Sequence, residues 1–104
     1  MAWMMLVAAG MCEATWAVML RQTEGWSRLG PSLVTVAFMT LSFWLLSLGL
    51  RTVPVGTAYA VWTGIGAVGT VAAGIALYGE AATVARLGGI ALIVAGIATL
   101  RLAE

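Results

Sequence analysis

AWMMLVAAGMCEATWAVML, residues 2–20, is long and apolar enough to cross a bilayer as a helix, yet it carries a carboxylate, Glu13, near its middle. A hydrocarbon layer about 30 Å thick asks for roughly 20 mostly apolar residues per helix. Three more stretches of that kind follow, at about 31–50, 57–78 and 84–100. The connections between them are short. Arg21 to Gly30 is a polar turn containing Glu24-Gly25, Arg51 to Gly56 contains Pro54, and Gly79-Glu80-Ala81-Ala82-Thr83 is the third. Pro31 suits the first turn of the second helix, where its missing N–H costs nothing. The expectation is an all-α membrane protein, one domain over residues 1–104 with four short transmembrane helices, sequential helices being antiparallel neighbours.

Composition excludes most other classes. Charged residues make up 9% and hydrophobic residues 62%, whereas a soluble domain carries about 25% charge. No room remains for a soluble domain, and the chain is not expected to be an enzyme. A net charge of +1 with scattered arginines offers no nucleic-acid surface and no polybasic lipid patch. Histidine is absent and Cys12 is the one cysteine, so no metal site, no other cofactor and no internal disulfide is expected. Cys12 reads as a packing residue. The first stretch lacks the basic segment of a secretion signal and continues through Glu13, so residues from Ala2 onward read as mature protein.

Orientation is normally set by where Arg and Lys fall in short loops. Here Arg21, Arg28 and Arg86 belong to one side, and Arg51, Arg101 and the terminal amine to the other. The balance predicts insertion in both orientations, so that one gene product can form an antiparallel homodimer.

Glu13 is the one charge in the interior of an apolar stretch; Arg21, Glu24, Arg28, Arg51, Glu80, Arg86, Arg101 and Glu104 lie in or beside connections or at the C-terminus. A charged group at mid-membrane costs about 2.5–3.5 kcal/mol on insertion scales and usually faces a partner or cavity. Glu13 is therefore expected to hold a proton or bind a cation from outside the protein. Gly10, Glu13 and Trp16 recur every third residue and share a face. Gly10 leaves space beside the carboxylate, and Trp16 offers an indole donor and a flat wall. Ser42 lies near the middle of the second helix, and Tyr59 and Trp62 share a face of the third. A membrane serine often bonds its own helix backbone, but convergence on Glu13 would make these groups its surroundings. Trp3, Trp26 and Tyr78 read as interfacial aromatics, and Trp44 as packing. Gly64, Gly66 and Gly69 predict a hinge in the third helix. Gly89 and Gly96 make the fourth helix the expected dimer seam.

The chain resembles the small multidrug resistance transporters over essentially its whole length. The likeness rests on four short helices, a carboxylate in the first, Trp26-Ser27-Arg28-Leu29-Gly30-Pro31-Ser32 entering the second, and the run from Pro54 to Gly66 in the third, PVGTAYAVWTGIG. Gly10-x-x-Glu13-x-x-Trp16 is similar to the guanidinium-exporter subtype, whereas the polyaromatic-cation branch has a small residue in place of Trp16. Met39 stands where the multidrug branch tends to carry tyrosine. Ser42-Phe43-Trp44-Leu45-Leu46 is closer to that branch, and Arg21-Gln22 replaces its common Lys-aromatic pair. The resemblance implies a dual-topology antiparallel homodimer in the bacterial inner membrane, exchanging protons for guanidinium ions.

Desolvation disfavours a charged carboxylate and a bound cation favours it, so proton and guanidinium would compete for Glu13. The planar cation matches carboxylate geometry through paired N–H donors, and two facing copies would titrate as coupled sites. On this reading Ser42 orients Glu13 or bonds the substrate, Trp16 holds the carboxylate or walls the pocket, and Tyr59 and Trp62 line the aqueous entrance with cation–π surface. The alternatives are a broader exporter of quaternary ammonium ions in the same family, a lipid carrier, and a non-transporting assembly subunit whose partner supplies a basic residue to Glu13.

Overall fold

The computed structural model describes residues 1–103; Glu104, assigned above to the C-terminal tail, lies outside the described residues. Four helices span nearly all of them: α1 (Ala2–Gln22), α2 (Leu29–Gly49), α3 (Val55–Tyr78) and α4 (Val84–Ala103). All four are long and apolar enough to cross a membrane. At 1.5 Å rise per residue each reaches about 30 Å. The helices begin and end within a few residues of the stretches expected. α2 starts at Leu29, so Pro31 lies inside its first turn, and Pro54 is the N-cap of α3. Gly79 ends α3 with φ 65°, a left-handed backbone that glycine adopts without strain.

The order across the molecule is α2, α1, α3, α4. α1 packs along both α2 and α3, α2 and α3 meet only briefly, and α4 packs on α3. Chain order alone would pair α2 with α3, but the small side chains of α1 and α3 bring those two helices together instead. The principal extents are 42 × 34 × 17 Å, and a helix with its side chains is about 10–12 Å across. The chain is thus a slab less than two helices thick. Its core is correspondingly small: Leu6, Val53, Ala58 and Val61 are buried, with Trp3, Leu46 and Ile65 packed against them. Leu6 fits over Gly49, where a Cβ would stand 2.7 Å from its side chain. No residue of α4 is buried.

Candidate functional site

The site is built where α1 crosses α3. Gly10 and Ala14 on α1 meet Ile65, Gly66 and Gly69 on α3, small residue against small or branched residue. A Cβ on Gly10 would stand 2.6 Å from Ile65 Cβ, and one on Gly69 would stand 2.7 Å from Ala14 Cβ. Close backbone approach of this kind is how helices pack in lipid, where water cannot drive them together. Glu13 lies between these contacts, and its carboxylate rests on Gly66, whose missing side chain is the space it occupies.

Oε1 of Glu13 is buried without a hydrogen-bond partner, and so is Nε1 of Trp16, three residues along the same stripe of α1. An unpaired buried polar atom costs on the order of 1–3 kcal/mol, more when charged. Among the described residues no arginine reaches Glu13: the ion pairs are Arg21 and Arg86 with Glu80, and Arg28 with Glu24. The arrangement can accept a proton or a cation at Oε1, and it offers an indole N–H to an acceptor beside it.

Ser42, Trp62 and Tyr59 form a second group. Ser42 is fully buried, and its hydroxyl donates to Ala9 O at 2.8 Å while accepting from Trp62 Nε1 at 2.9 Å. One chain of hydrogen bonds therefore joins α3, α2 and α1. Ala9 O is the carbonyl that the i→i−4 ladder assigns to the N–H of Glu13, so Ser42 reaches the carboxylate's own turn of helix through the backbone. Trp62, expected at an aqueous entrance, is 7% exposed. It lies between Phe43 and Tyr59, each ring 5.6 Å from it and tilted. Tyr59 is the outer member of this trio, at 59% exposure.

The candidate glycines of α3 fall at packing surfaces. α3 is unbroken across Gly64, Gly66 and Gly69. Gly64 faces Ile93 and Ile97 of α4, less closely than Gly66 faces Glu13 and Gly69 faces Ala14. Gly89 and Gly96 have nothing within 4 Å of where a Cβ would stand, so their side of α4 is open. Trp3 carries the Arg101 guanidinium 5.2 Å from its ring centre. Reading the sequence alone did not find the seat at Gly66, the link from Ser42 to Ala9, or a cluster at the far end of α3 in which Glu80 meets Arg86 and Arg21. The first had a visible signal: Gly10 with Ala14 and Gly66 with Gly69 are small pairs at helical spacing on two apolar helices.

The profile of the Small Multidrug Resistance protein family matches residues 1–93. The Guanidinium exporters of Citrobacter freundii and Salmonella typhimurium are each 55% identical to this chain over 102 residues, 98% of this chain and 97% of theirs. The Guanidinium exporter of Yersinia pseudotuberculosis serotype I is 52% identical over 104 residues, the whole of both chains.

Proposed function

Because the chain belongs to the Small Multidrug Resistance family, a family of multi-pass bacterial inner-membrane transporters, we propose that it exports guanidinium ion and small substituted guanidinium cations in exchange for protons, with Glu13 as the shared site. The observation that carries this reading is a buried, unpartnered carboxylate oxygen in a membrane helix with no arginine against it among the described residues. A guanidinium ion supplies paired N–H donors in a plane, the geometry a carboxylate accepts best. A proton neutralises the same group at no cost in space. Since one oxygen pair cannot serve both at once, proton and cation exclude each other. If the protein changes its access side only when the site is occupied, an inward proton gradient drives the cation out.

Trp16 walls the pocket and offers its indole N–H. Ser42 and Trp62 hold the first three helices in register around Glu13, and Tyr59 presents a π-face outside them. Small bends at Gly64, Gly66 and Gly69 would let α3 change its approach to α1 and α4.

The functional unit on this reading is an antiparallel dimer joined along α4. That helix exposes Val84, Leu87, Leu92, Val94 and Leu102, and the open space over Gly89 and Gly96 lets a second helix approach closely. Gly96→Leu should convert most of the protein to monomer in mild detergent, read by crosslinking or light scattering, with guanidinium flux lost in parallel. A dimer of unchanged strength would place the seam elsewhere.

The direct test is electrical. Purified protein in lipid vesicles should give proton-coupled currents with guanidinium and phenylguanidinium, and small or no currents with bulky aromatic ammonium ions. Equal currents for all three would assign the broader quaternary-ammonium reading. Currents with none, together with no guanidinium uptake and no proton movement in the same vesicles, would end the transport assignment.

A further inference from the structure

α4 packs on α3 and stands clear of α1, and the gap between α1 and α4, floored by α3, is an apolar trench. Its deep half, about 470 Å³, is walled by Met11 of α1 and by Val94 and Ile97 of α4 over a floor of Ile65 and Val68. Its outer half, about 630 Å³, shares Met11, Val94 and Ile97 and runs on to Trp3 and Arg101. The hydroxyl on its wall, that of Thr15, gives its proton to Met11 O at 3.0 Å. From Trp3 to Thr15 the trench is about 18 Å long at the rise of an α-helix, and half of the hydrocarbon layer is about 15 Å. It therefore spans one leaflet.

Charge marks which end can hold a headgroup. Arg101 lies in the last turn of α4 and lines the outer mouth, where its guanidinium sits 5.2 Å from the centre of the Trp3 ring. At the opposite membrane face Arg21, Arg28 and Arg86 are matched by Glu80 and Glu24, whereas Arg51 and Arg101 have no such partner among the described residues. The trench also faces away from Glu13. At about 100° per residue, Met11 is turned about 200° from Glu13 on α1, and Val94 is turned as far from Gly96 on α4. A second copy that closes over Glu13 and seats on Gly96 leaves the trench to the bilayer.

We infer that this trench binds one acyl chain of an anionic phospholipid, with the lipid phosphate on Arg101 and the chain laid over Ile65 and Val68. No water reaches this depth to fill an apolar groove, and chain methylenes are the material at hand. Arginine gives a phosphate paired N–H donors, tryptophan sits at headgroup level, and basic pockets between helices take anionic headgroups. A zwitterionic headgroup brings an ammonium that finds no carboxylate at this mouth among the described residues. A glycerol headgroup brings none. The headgroup site does not depend on the cargo; that the trench stays open in the assembled protein rests on the proposed dimer.

The test reads lipid contact without using transport. The full chain is placed in phosphatidylcholine vesicles with a trace of phosphatidylglycerol or phosphatidylcholine, each carrying the same diazirine on its acyl chain, and adducts are mapped by peptide mass spectrometry after illumination. The glycerol probe should label α1 between Met4 and Thr15 and α4 between Val94 and Ala98 about fivefold more than the choline probe, the weight of one basic residue at an anionic headgroup. Arg101→Gln should erase that preference, and Arg51→Gln, at the same membrane face but off the trench, should leave it. Ala98→Phe, which fills the outer half, should cut trench labelling by both probes severalfold with an unchanged gel-filtration profile. Equal labelling by the two probes, or a preference that survives Arg101→Gln, would overturn the headgroup site. Labelling by neither probe, with crosslinks between copies from Val94→Cys in a Cys12→Ala protein, would overturn the lipid and give the trench to a second chain. A failed dimer reading shows differently, as monomer on crosslinking with the probe preference intact.

Discussion

Glu13→Gln is expected to abolish proton-coupled guanidinium currents while the protein still folds and dimerises. The amide has the shape of the carboxylic acid and fits the same space over Gly66, but it cannot release a proton and carries no charge for the cation. Each charge-assisted hydrogen bond is worth about 1.5–3 kcal/mol, so losing a bidentate pair weakens guanidinium binding by about a hundredfold or more. Folding moves the other way. A neutral amide in hydrocarbon avoids the cost of about 2.5–3.5 kcal/mol attached to an acidic group at mid-membrane, so the variant should melt in detergent no lower than the parent. Currents that survive the change would remove Glu13 from the centre of the mechanism.

The second large effect comes from a residue with no side chain. Gly66→Ala puts a methyl group into the space that the Glu13 carboxylate occupies. What must yield is the flexible end of Glu13 and not the backbone, so the cost in stability is small. The carboxylate, however, loses its seat. With one of its two hydrogen bonds to the cation misaligned, guanidinium affinity should fall about ten- to a hundredfold. Gly69→Ala sets the contrast, because there the methyl group meets Ala14 Cβ, a rigid neighbour that can retreat only if α1 and α3 separate. That variant should lose thermal stability before it loses affinity. If Gly66→Ala binds guanidinium as the parent does, the seat is not where the cation is held.

Much of this was legible in the chain before any coordinates, for a physical reason. Apolar length is a local property, so the spans of α1 to α4 and the isolation of Glu13 could be read residue by residue. Which helices touch is not local. α1 lies between α2 and α3 because Gly10 meets Ile65, Glu13 meets Gly66 and Ala14 meets Gly69, and recognising that requires matching two surfaces at once. The same limit explains Ser42 and Trp62. Their depth was readable, but a hydroxyl has several acceptors within reach, and Ala9 O wins because α1 and α2 pack closely enough to bring it to 2.8 Å. Gly66 was open to two readings, a point of bending or a place for a neighbour; its small pair with Gly69 signals a close neighbour, but not that the neighbour is the carboxylate of Glu13. Glu80 stood in a turn where a solvated charge is the ordinary expectation; its two arginines come from separate helices, α1 and α4.

The thinness of the molecule bears on how large a passenger can be. At 17 Å through its narrowest direction, a single chain has no inside in which to wrap anything. On the dimer proposed above, whatever is carried rides in the gap between two such plates, and its girth is limited by how far the plates stand apart. Selection among passengers could then shift through residues that set this spacing along α4, with Glu13 and its neighbours left untouched.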